Sequence, residues 1–296
     1  MSKVIIIGGG AAGYFTAINA KEKNPELEIT ILEKGKDVLQ KVKISGGGRC
    51  NVTRACFEPK ELVKFYPRGE KELLGPFHQF MTGDTFEWFD KKGVPLKIED
   101  DHRVFPEANT SQSIIDCFQK SVDKLGINVF TNHGVNSVFY QKNKWIVNTK
   151  AQTFEADKLV IAAGSSKKVW ELCESLNHAI IAPVPSLFTF NINDKRLVDL
   201  LGISVPNATV KIANTKLEAS GPLLITHWGM SGPAVLKLSA FGARILADKN
   251  YQYNVEVNWL SRPTDKVLNV LLNLKKKEPR KTVILKSPFS EISKRL

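Results

Sequence analysis

The feature that most constrains the fold of this chain is the glycine-rich run GGGAAG at residues 8–13. An apolar, β-branched run at Val4–Ile7 precedes it and predicts a buried strand. Residues 11–23 have a helical composition and end before an Asn-Pro pair, while residues 28–32 predict a second strand. A strand, a glycine turn, a helix and a strand within about thirty residues predict a βαβ unit with parallel strands.

The same run satisfies the GxGxxG pattern, and Glu33 follows Gly13 by twenty residues at the end of the second predicted strand. In this pattern Gly8 permits a tight turn, Gly10 lets the backbone approach a diphosphate and Gly13 allows close packing of helix on sheet. The start of the helix offers unpaired N–H groups and a positive dipole end to phosphates. Glu33 would accept hydrogen bonds from a ribose 2′-hydroxyl and repel a 2′-phosphate, so the segment predicts a dinucleotide site.

A second glycine-rich segment, Gln40–Asn51, follows soon after Glu33. Its consecutive backbone N–H groups predict an anion-binding nest, with Lys41 and Arg49 as charged partners of the phosphates. A second loop of this kind suits a long, bent cofactor whose contacts with the backbone continue beyond the diphosphate.

Composition limits the class of protein. Of the 296 residues, 43% are apolar and 24% are charged, which predicts a globular chain and excludes a disordered or fibrous one. The net charge of +12 suits anionic partners. The four cysteines include no CxxC pair, so we expect no metal site, no disulfide framework and reduced thiols in a cytoplasm. We expect no membrane association.

Further elements extend the first predicted domain to residue 185. Residues 111–125 predict a helix, and strands are predicted at 128–131, 135–140, 144–149 and 158–162. The apolar run LVIAA in the last of these predicts a central position in the sheet. Residues 1–185 are therefore predicted to form an α/β, Rossmann-like domain with a parallel sheet.

From Pro183 and Pro185 onward the predicted segments become short and strand-like, which predicts a second, mostly β domain over residues 186–296. Alternation of apolar and polar residues over 251–259 is typical of a half-buried strand. Residues 233–247 predict one helix. The end of the chain, from residue 266, has a helical composition and a strong excess of lysine and arginine, including Lys281 and Lys286.

Six strings of the sequence together suggest a family. They are GGGAAG, ISGGGRCNVT, HRVFPEANTS, a strand ending in AAG, VPSLFTFNI and THWGMSGPAVL. In these strings the chain resembles the YhiN/BaiN-type flavoproteins, NAD(P)/FAD-dependent oxidoreductases of the two-dinucleotide-binding-domain superfamily. The similarity runs along almost the whole chain, and SGGGRCN and THxGxSGP are its most specific strings.

The resemblance implies an FAD-binding domain that is interrupted by an inserted β-barrel-like and helical domain. In such proteins the chain returns to the FAD domain, and we expect this chain to lack the return segment and to turn over little substrate alone. Two strings depart from the family pattern, at residues 38–41 and 165–168. The residues expected to bind FAD are Gly8, Gly10, Ala12, Gly13, Glu33, Lys34, Lys41, Val42, Ser45, Gly46, Gly47, Gly48, Arg49, Cys50, Asn51, Val135, Ala163 and Gly164.

The expected function is that of a cytoplasmic, FAD-dependent oxidoreductase. The resemblance suggests reduction of an unsaturated carbonyl compound, or oxidation of a small amine or ketone. Because the sequence holds one GxGxxG, an NAD(P)H electron donor would have to dock at the flavin face. His227 is the candidate catalytic residue of the inserted domain.

Several alternatives stay open at this point. The basic end of the chain is consistent with a second hypothesis, an RNA-associated flavoprotein. A third hypothesis is a non-catalytic fragment of a flavoprotein. Cys50 is either a redox thiol beside the flavin or a packing residue, of which packing is favoured. Residues 99–102 (EDDH) are either metal ligands or, as we expect, a solvated turn between two strands.

Overall fold

The structure is a computed structural model that describes residues 1–280, 282 and 287–296. Its contacts divide the chain into two compact units, Met1–Ile181 and Ala182–Leu296, which we call the first and the second unit. The sequence predicts a division between residues 185 and 186, where the short strand-like segments begin.

The first unit is built on a parallel sheet. Its strands, in sheet order, are β10 (Lys158–Ile161), β1 (Lys3–Ile7), β2 (Glu28–Leu32) and β6 (Asn128–Phe130). Ile6 of β1 is aligned with Ile31 on one side and with Val160 on the other. The helix α1 (Ala11–Lys23) joins β1 to β2. The predicted βαβ unit and the Rossmann-like fold class are therefore confirmed.

Both faces of this sheet are buried, which explains why β1 reads as a continuous apolar run. Val4 and Ile6 belong to a core that includes α1 and the helix α6 (Ser111–Lys124). Ile5 and Ile7 point to the opposite side, into a second apolar core. Since side chains alternate along a strand, a strand covered on both faces has no position for a polar residue.

The remaining elements of the first unit surround this sheet. Two small antiparallel sheets consist of β3 (Thr53–Arg54), β5 (Arg103–Pro106) and β4 (Leu96–Ile98), and of β7 (Val135–Gln141), β8 (Lys144–Thr149) and β9 (Thr153–Ala156). The other helices are α2 (Gln40–Gly48), α3 (Pro59–Leu62), a 3₁₀ helix (Val63–Phe65), α4 (Glu70–Phe77), α5 (Thr82–Asp90) and α7 (Lys167–Ser175).

The prediction that the LVIAA strand is central was wrong. Within the part of the chain that the structure describes, β10 pairs with β1 alone and forms an edge of the sheet. Lys158 and Ile161 at its two ends are exposed. The apolar character of a short strand reflects the surfaces packed on its faces, and it does not report whether a further strand pairs with its edge.

The second unit contains an antiparallel sheet whose two edges approach each other. In sheet order its strands are β11 (Phe190–Asn191), β14 (Gly229–Ser231), β13 (Glu218–Thr226), β12 (Ser204–Ile212) and β15 (Val255–Asn258). The rings of Phe190 in β11 and Tyr253, just before β15, are 5.3 Å apart. A curved antiparallel sheet is therefore present in this part of the chain, but this part is not mostly β, because the helices of the described residues take up at least as many positions as the strands.

Helices cover one side of that sheet. The predicted helix over 233–247 consists of α8 (Pro233–Phe241) and α9 (Ala243–Asp248), which are separated at Gly242. The predicted helical end of the chain contains α10 (Thr264–Lys277), whereas Lys281 and Lys286 lie outside the described residues. In the described ranges, no helix combines the length and the apolar character needed to cross a membrane.

Gly13 provides a test of the packing of α1 on β1. A β-carbon at this position would overlap the carbonyl oxygen of Gly8, so we expect Gly13→Ala to lower the free energy of unfolding by about 3 kcal/mol, the upper end for overpacking. Gly10→Ala is the matched control, because no atom lies within 4 Å of the point that its methyl group would occupy, and it should cost no more than about 1 kcal/mol. Urea unfolding of both variants measures the difference, and equal stabilities would contradict the close packing.

Candidate functional site

The turn between β1 and α1 requires glycine at its first position. Gly8 has φ of +119°, and its N–H donates to the carbonyl of Leu32 at 2.9 Å. A β-carbon on Gly8 would lie 2.5 Å from the carbonyl oxygen of Ala162 and 2.8 Å from Cα of Ala163. The turn is therefore pressed between the ends of β2 and β10, at the carboxyl edge of the parallel sheet.

The N-terminus of α1 is open. Its N-cap residue, Gly10, has an extended backbone, and no side chain caps the first turn of the helix. No atom lies within 4 Å of the place where a β-carbon of Gly10 would stand. The first N–H groups of a helix have no partners within the helix and carry a partial positive charge, so this end can bind an anion.

Glu33 is held beside the same turn by two backbone groups. Gly9 N–H donates to Oε2 at 2.8 Å, and Gly35 N–H donates to Oε1 at 2.7 Å. Each carboxylate oxygen has a second lone pair and can accept another hydrogen bond, for example from a hydroxyl group. The carboxylate is thus held in one position, and both of its oxygens can accept a further hydrogen bond.

Lys34 and Val135 lie next to Glu33. Glu33 N–H donates to the carbonyl of Phe130 at 2.9 Å, and the carbonyl of Glu33 accepts from His133 N–H at 2.8 Å. This pairing brings Lys34 against Gly134, where a β-carbon would lie 3.2 Å from Cβ of Lys34. Val135, the next residue, is buried at the start of β7. Three residues that were expected to bind FAD, Glu33, Lys34 and Val135, therefore lie next to one another.

The second glycine loop is an irregular end of α2. Helical geometry breaks at Ser45, and Gly46, Gly47 and Gly48 follow with φ of +56°, +69° and +85°. Gly47 and Gly48 have open space where a β-carbon would stand, whereas Gly46 is packed against the chain. The Ser45 hydroxyl donates to the carbonyl of Val42, which is buried. Gly47 and Gly48 therefore leave open space beside their backbone.

Lys41, in the first turn of α2, brings a positive charge to the turn after β10. Its Nζ lies 3.9 Å from the position of a β-carbon on Gly164, in the turn after β10. Lys41 also lines a cavity together with Ala11 and Ala12 of the α1 N-terminus. The structure thus brings Lys41, the β1–α1 turn and the turn containing Ala163 and Gly164 together.

Arg49 and Asn51 turn toward the β4–β5 hairpin. The guanidinium of Arg49 donates to both carboxylate oxygens of Glu99, at 2.6 and 3.3 Å. The resulting hydrogen bond keeps the pKa of Glu99 below its ordinary value. In the amide orientation that its neighbours require, Asn51 donates to the carbonyls of Thr53 and Val104, at 3.0 and 3.2 Å. Residues 99–102 form the turn of this hairpin.

A cavity of about 480 Å³ opens beside the α1 N-terminus and the glycine loop. Its lining is largely aromatic and aliphatic, with a few polar groups: Ala11, Ala12, Phe15, Lys41, Val42, Ser45, Cys50, Asn51, Val52, Phe80, Thr85, Phe89, Ile114 and Phe118. No sequence pattern predicts the four phenylalanines as part of a site. Three of the four come from α1, α5 and α6, so no local pattern joins them before the chain is folded.

Cys50 is buried in the wall of this cavity, with φ of +61°. Burial raises the pKa of its thiol above the ordinary value, and a hydrogen bond with Ser45 offsets this in part. Nucleophilic and redox cysteines act as thiolates, which a raised pKa disfavours. The environment of Cys50 therefore supports the packing role over the redox role.

His227 lies in the second unit, in the exposed turn between β13 and β14. Its ring contacts the ring of Trp228 edge to face, with centroids 4.2 Å apart. Across the described ranges, no group of three histidine, cysteine or acidic side chains is arranged to hold a metal ion. His227 remains the predicted catalytic residue of the second unit.

A protein-family model supports the fold and extends beyond the first unit. Residues 2–259 match the family described as HI0933-like protein Rossmann domain. This match covers most of the chain, from β1 to the strand β15 of the second unit.

Curated relatives share about a quarter of their residues with this chain. A 3-dehydro-bile acid Δ(4,6)-reductase of Clostridium scindens is 24% identical over 270 residues, covering 88% of this chain and 65% of the relative. A ribosomal RNA dihydrouridine synthase of Haemophilus influenzae is 26% identical, covering 81% of this chain and 61% of the relative. The Escherichia coli protein of the same name is 27% identical, with 80% and 60% covered. The chain thus spans less than two thirds of the length of these relatives.

Solved structures are similar at low sequence identity. THI4 of Thermovibrio ammonificans has a TM-score of 0.41 and 13% identity, covering 59% of this chain and 62% of that chain. CtdE, in complex with FAD and a substrate, has a TM-score of 0.38 and 13% identity, covering 72% and 45%.

Thiol labelling tests the environment of Cys50. We expect Cys56 and Cys173, which are partly exposed, to react with a disulfide reagent about tenfold or more faster than the buried Cys50 and Cys117. Cys50→Ser should therefore leave the fast phase at two thiols, whereas Cys56→Ser should reduce it to one. Loss of a fast thiol in the Cys50→Ser variant would instead identify Cys50 as reactive.

Proposed function

We propose that this chain, which belongs to the HI0933-like protein Rossmann domain family, binds FAD on its first unit and serves a flavin-dependent reductase. The observation that carries the proposal is the uncapped N-terminus of α1, whose first residues line one cavity together with Lys41 and with Ser45 of the glycine loop. Such an arrangement suits a diphosphate, because helix N–H groups, a nest and a cation all favour negative charge.

The donor set fits the adenosine diphosphate half of FAD. Glu33, with free lone pairs on both oxygens, would accept hydrogen bonds from ribose hydroxyls. Lys34 and Val135 would flank the adenine end, since both lie beside Glu33. The proposed contacts to the diphosphate and beyond are Gly8, Gly10, Ala12, Gly13, Lys41, Val42, Ser45, Gly46, Gly47, Gly48, Ala163 and Gly164. Arg49, Cys50 and Asn51 belong to the same glycine loop.

The aromatic cavity favours a flavin over a nicotinamide as the second half of the ligand. Its volume of about 480 Å³ and its apolar wall suit a large planar ring, and it opens beside the α1 N-terminus. When bound, the flavin supplies two-electron hydride chemistry, while the protein supplies binding, orientation and shielding from water.

The resemblance suggested either a reduction or an oxidation, and the names of the relatives favour reduction. A Δ(4,6)-reductase of 3-dehydro-bile acids and a dihydrouridine synthase are both named for saturating carbon–carbon double bonds that are conjugated with a carbonyl group. We propose the same substrate class for the protein to which this chain corresponds. Reduction of such a bond takes up one hydride and one proton, and we propose the imidazole of His227 as the proton donor.

We propose NAD(P)H as the electron donor and a cytoplasmic location. The single GxGxxG leaves the flavin face as the docking place for a nicotinamide. All four cysteines carry free thiols, which fits the reducing conditions of the cytoplasm.

Glu33→Arg tests the cofactor assignment. The substitution replaces a hydrogen-bond acceptor with a positive charge, so we expect FAD and ADP to bind about tenfold to a hundredfold more weakly, without a gain for NADP. Glu26→Arg is the matched control, because it makes the same charge change at an exposed position. Fluorescence and calorimetric titrations measure binding, and melting temperatures show whether each variant is folded.

Two results would contradict the proposal. Unchanged affinity for FAD in the Glu33→Arg variant would show that Glu33 does not contact the ribose. Failure of the parent chain to bind FAD and ADP would show that the proposed site does not bind this cofactor. Glu33→Gln keeps the shape of the side chain and should show a smaller loss, which separates the lost charge from a disturbed turn.

A second candidate function is action on an RNA substrate, which the positive charge of the second unit favours. The second unit has 17 lysine and arginine residues against 8 acidic ones, so it carries +9 of the net +12 in fewer than half of the residues. Lys275, Lys276 and Lys277 end α10 and are exposed, and none of them forms an ion pair with a described residue. Two of the curated relatives are named for a ribosomal RNA reaction.

Salt dependence tests this candidate. We expect a structured ribosomal RNA fragment to bind more weakly as salt rises, and the double substitution Lys276→Glu, Lys277→Glu to reduce the slope of log affinity against log salt by about 1–2. Lys120→Glu with Lys124→Glu makes the same change of charge on α6 of the first unit and should have a smaller effect. Equal effects of the two double variants would exclude α10 as the RNA surface.

A further inference from the structure

We propose that Glu99 is a positioning residue, which acts through Arg49 to hold the glycine loop of residues 45–51 in its ligand-binding shape, and that Arg49 does not contact the ligand. The inference rests on the proposed function, because it assigns separate tasks to two cations of the same site. It replaces the expectation that Lys41 and Arg49 both pair with the phosphates.

The first observation is the geometry of the ion pair. Two nitrogens of the Arg49 guanidinium donate to the two oxygens of Glu99, at 2.6 and 3.3 Å, and Nη1 also donates to Asn109 at 3.2 Å. The two charged side chains are 30% and 27% exposed, so solvent screens them only in part. Bidentate pairs of this kind fix orientation as well as charge, because the planar fork matches the carboxylate.

The second observation is the ring of Phe105, which joins the ion pair to the loop. Phe105 is fully buried in β5, and the centre of the Arg49 guanidinium lies 3.9 Å from its ring centroid. A β-carbon on Gly46 would lie 2.9 Å from Cε1 of the same ring. One buried side chain thus lies beside both the loop backbone at Gly46 and the guanidinium of Arg49.

The third observation is that the loop is tied to the hairpin on its other side as well. Asn51 donates to the carbonyls of Val104 in β5 and Thr53 in β3, and Val52 N–H donates to the carbonyl of Val104 at 2.8 Å. Between these attachments, Gly46, Gly47, Gly48 and Cys50 all have positive φ. Such a sequence of conformations is costly in a free chain and persists where surrounding contacts fix it.

The two cations near the loop, Arg49 and Lys41, differ in their charged partners. The charge of Arg49 is compensated by Glu99, which Arg103 also approaches at 3.7 Å. Lys41 has no acidic partner among the described residues, and it stands beside the open N-terminus of α1. Lys41 is therefore the cation available to an anionic ligand, while Arg49 serves the shape of the loop.

Binding measurements on the full chain separate positioning from direct contact. Glu99→Gln removes a negative charge near an anionic ligand, yet we expect it to weaken the binding of FAD and ADP by about three- to tenfold, because the loop loses its attachment. Arg49→Ala should have a similar effect, and the double variant should be no weaker than the weaker single one. Asp100→Asn is the matched control, since it removes the same charge from an exposed position of the same turn.

The dependence on salt distinguishes the two cations. The loss of affinity in Lys41→Ala should shrink as salt rises, because salt screens the removed attraction, whereas the loss in Arg49→Ala should stay nearly constant. Unchanged or tighter binding in Glu99→Gln, together with a salt-dependent loss in Arg49→Ala, would overturn the inference and make Arg49 a phosphate ligand.

Hydrogen exchange on the ligand-free protein tests the inference independently of FAD. We expect Glu99→Gln to speed amide exchange in residues 46–50 about tenfold or more, and Asp100→Asn to leave it unchanged. Equal exchange in both variants would overturn the positioning role. If the parent chain fails to bind FAD and ADP while Glu99→Gln still speeds exchange, the proposed function fails and the support of the loop by Glu99 stands.

Discussion

The close contact between α1 and the turn after β1 is the constraint on which the site depends. Gly13 approaches the carbonyl of Gly8 so closely that no side chain fits between them, and Gly8 itself is pressed against Ala162. This packing sets the N-terminus of α1 directly above the carboxyl edge of the parallel sheet. Glu33, Gly164 and the end of β2 meet at the same edge, because parallel strands all finish there.

The conformation of the glycine loop depends on a second region of the first unit, the hairpin of β4 and β5. The loop has little regular hydrogen bonding of its own, and its left-handed residues gain support from the hairpin of β4 and β5. Phe105, Glu99 and Asn109 reach it from about fifty or more residues away in the chain. Binding by such a loop depends on contacts that touch no ligand, since a nest that must first be ordered binds less tightly.

The two units differ in charge and in the chemistry that they offer. The first unit is close to neutral overall and holds glycine turns, Glu33 and an aromatic cavity. The second unit is strongly basic and carries His227 in an exposed turn.

Local patterns in the sequence were enough to predict β1, α1, β2, the tight turn at Gly8, the close packing at Gly13 and the α/β class, because these depend on neighbours a few residues apart. They also indicated which family the chain belongs to. They did not predict that β10 lies at an edge, that the helix over 233–247 divides at Gly242, or that phenylalanines of α1, α5 and α6 share a cavity. Nor could they reveal the partner of Arg49: the sequence presents a cation beside three glycines, and only the tertiary structure brings Glu99 within 2.6 Å of it. Backbone conformation is decided largely by adjacent residues, whereas the partner of a charged side chain depends on how distant segments pack.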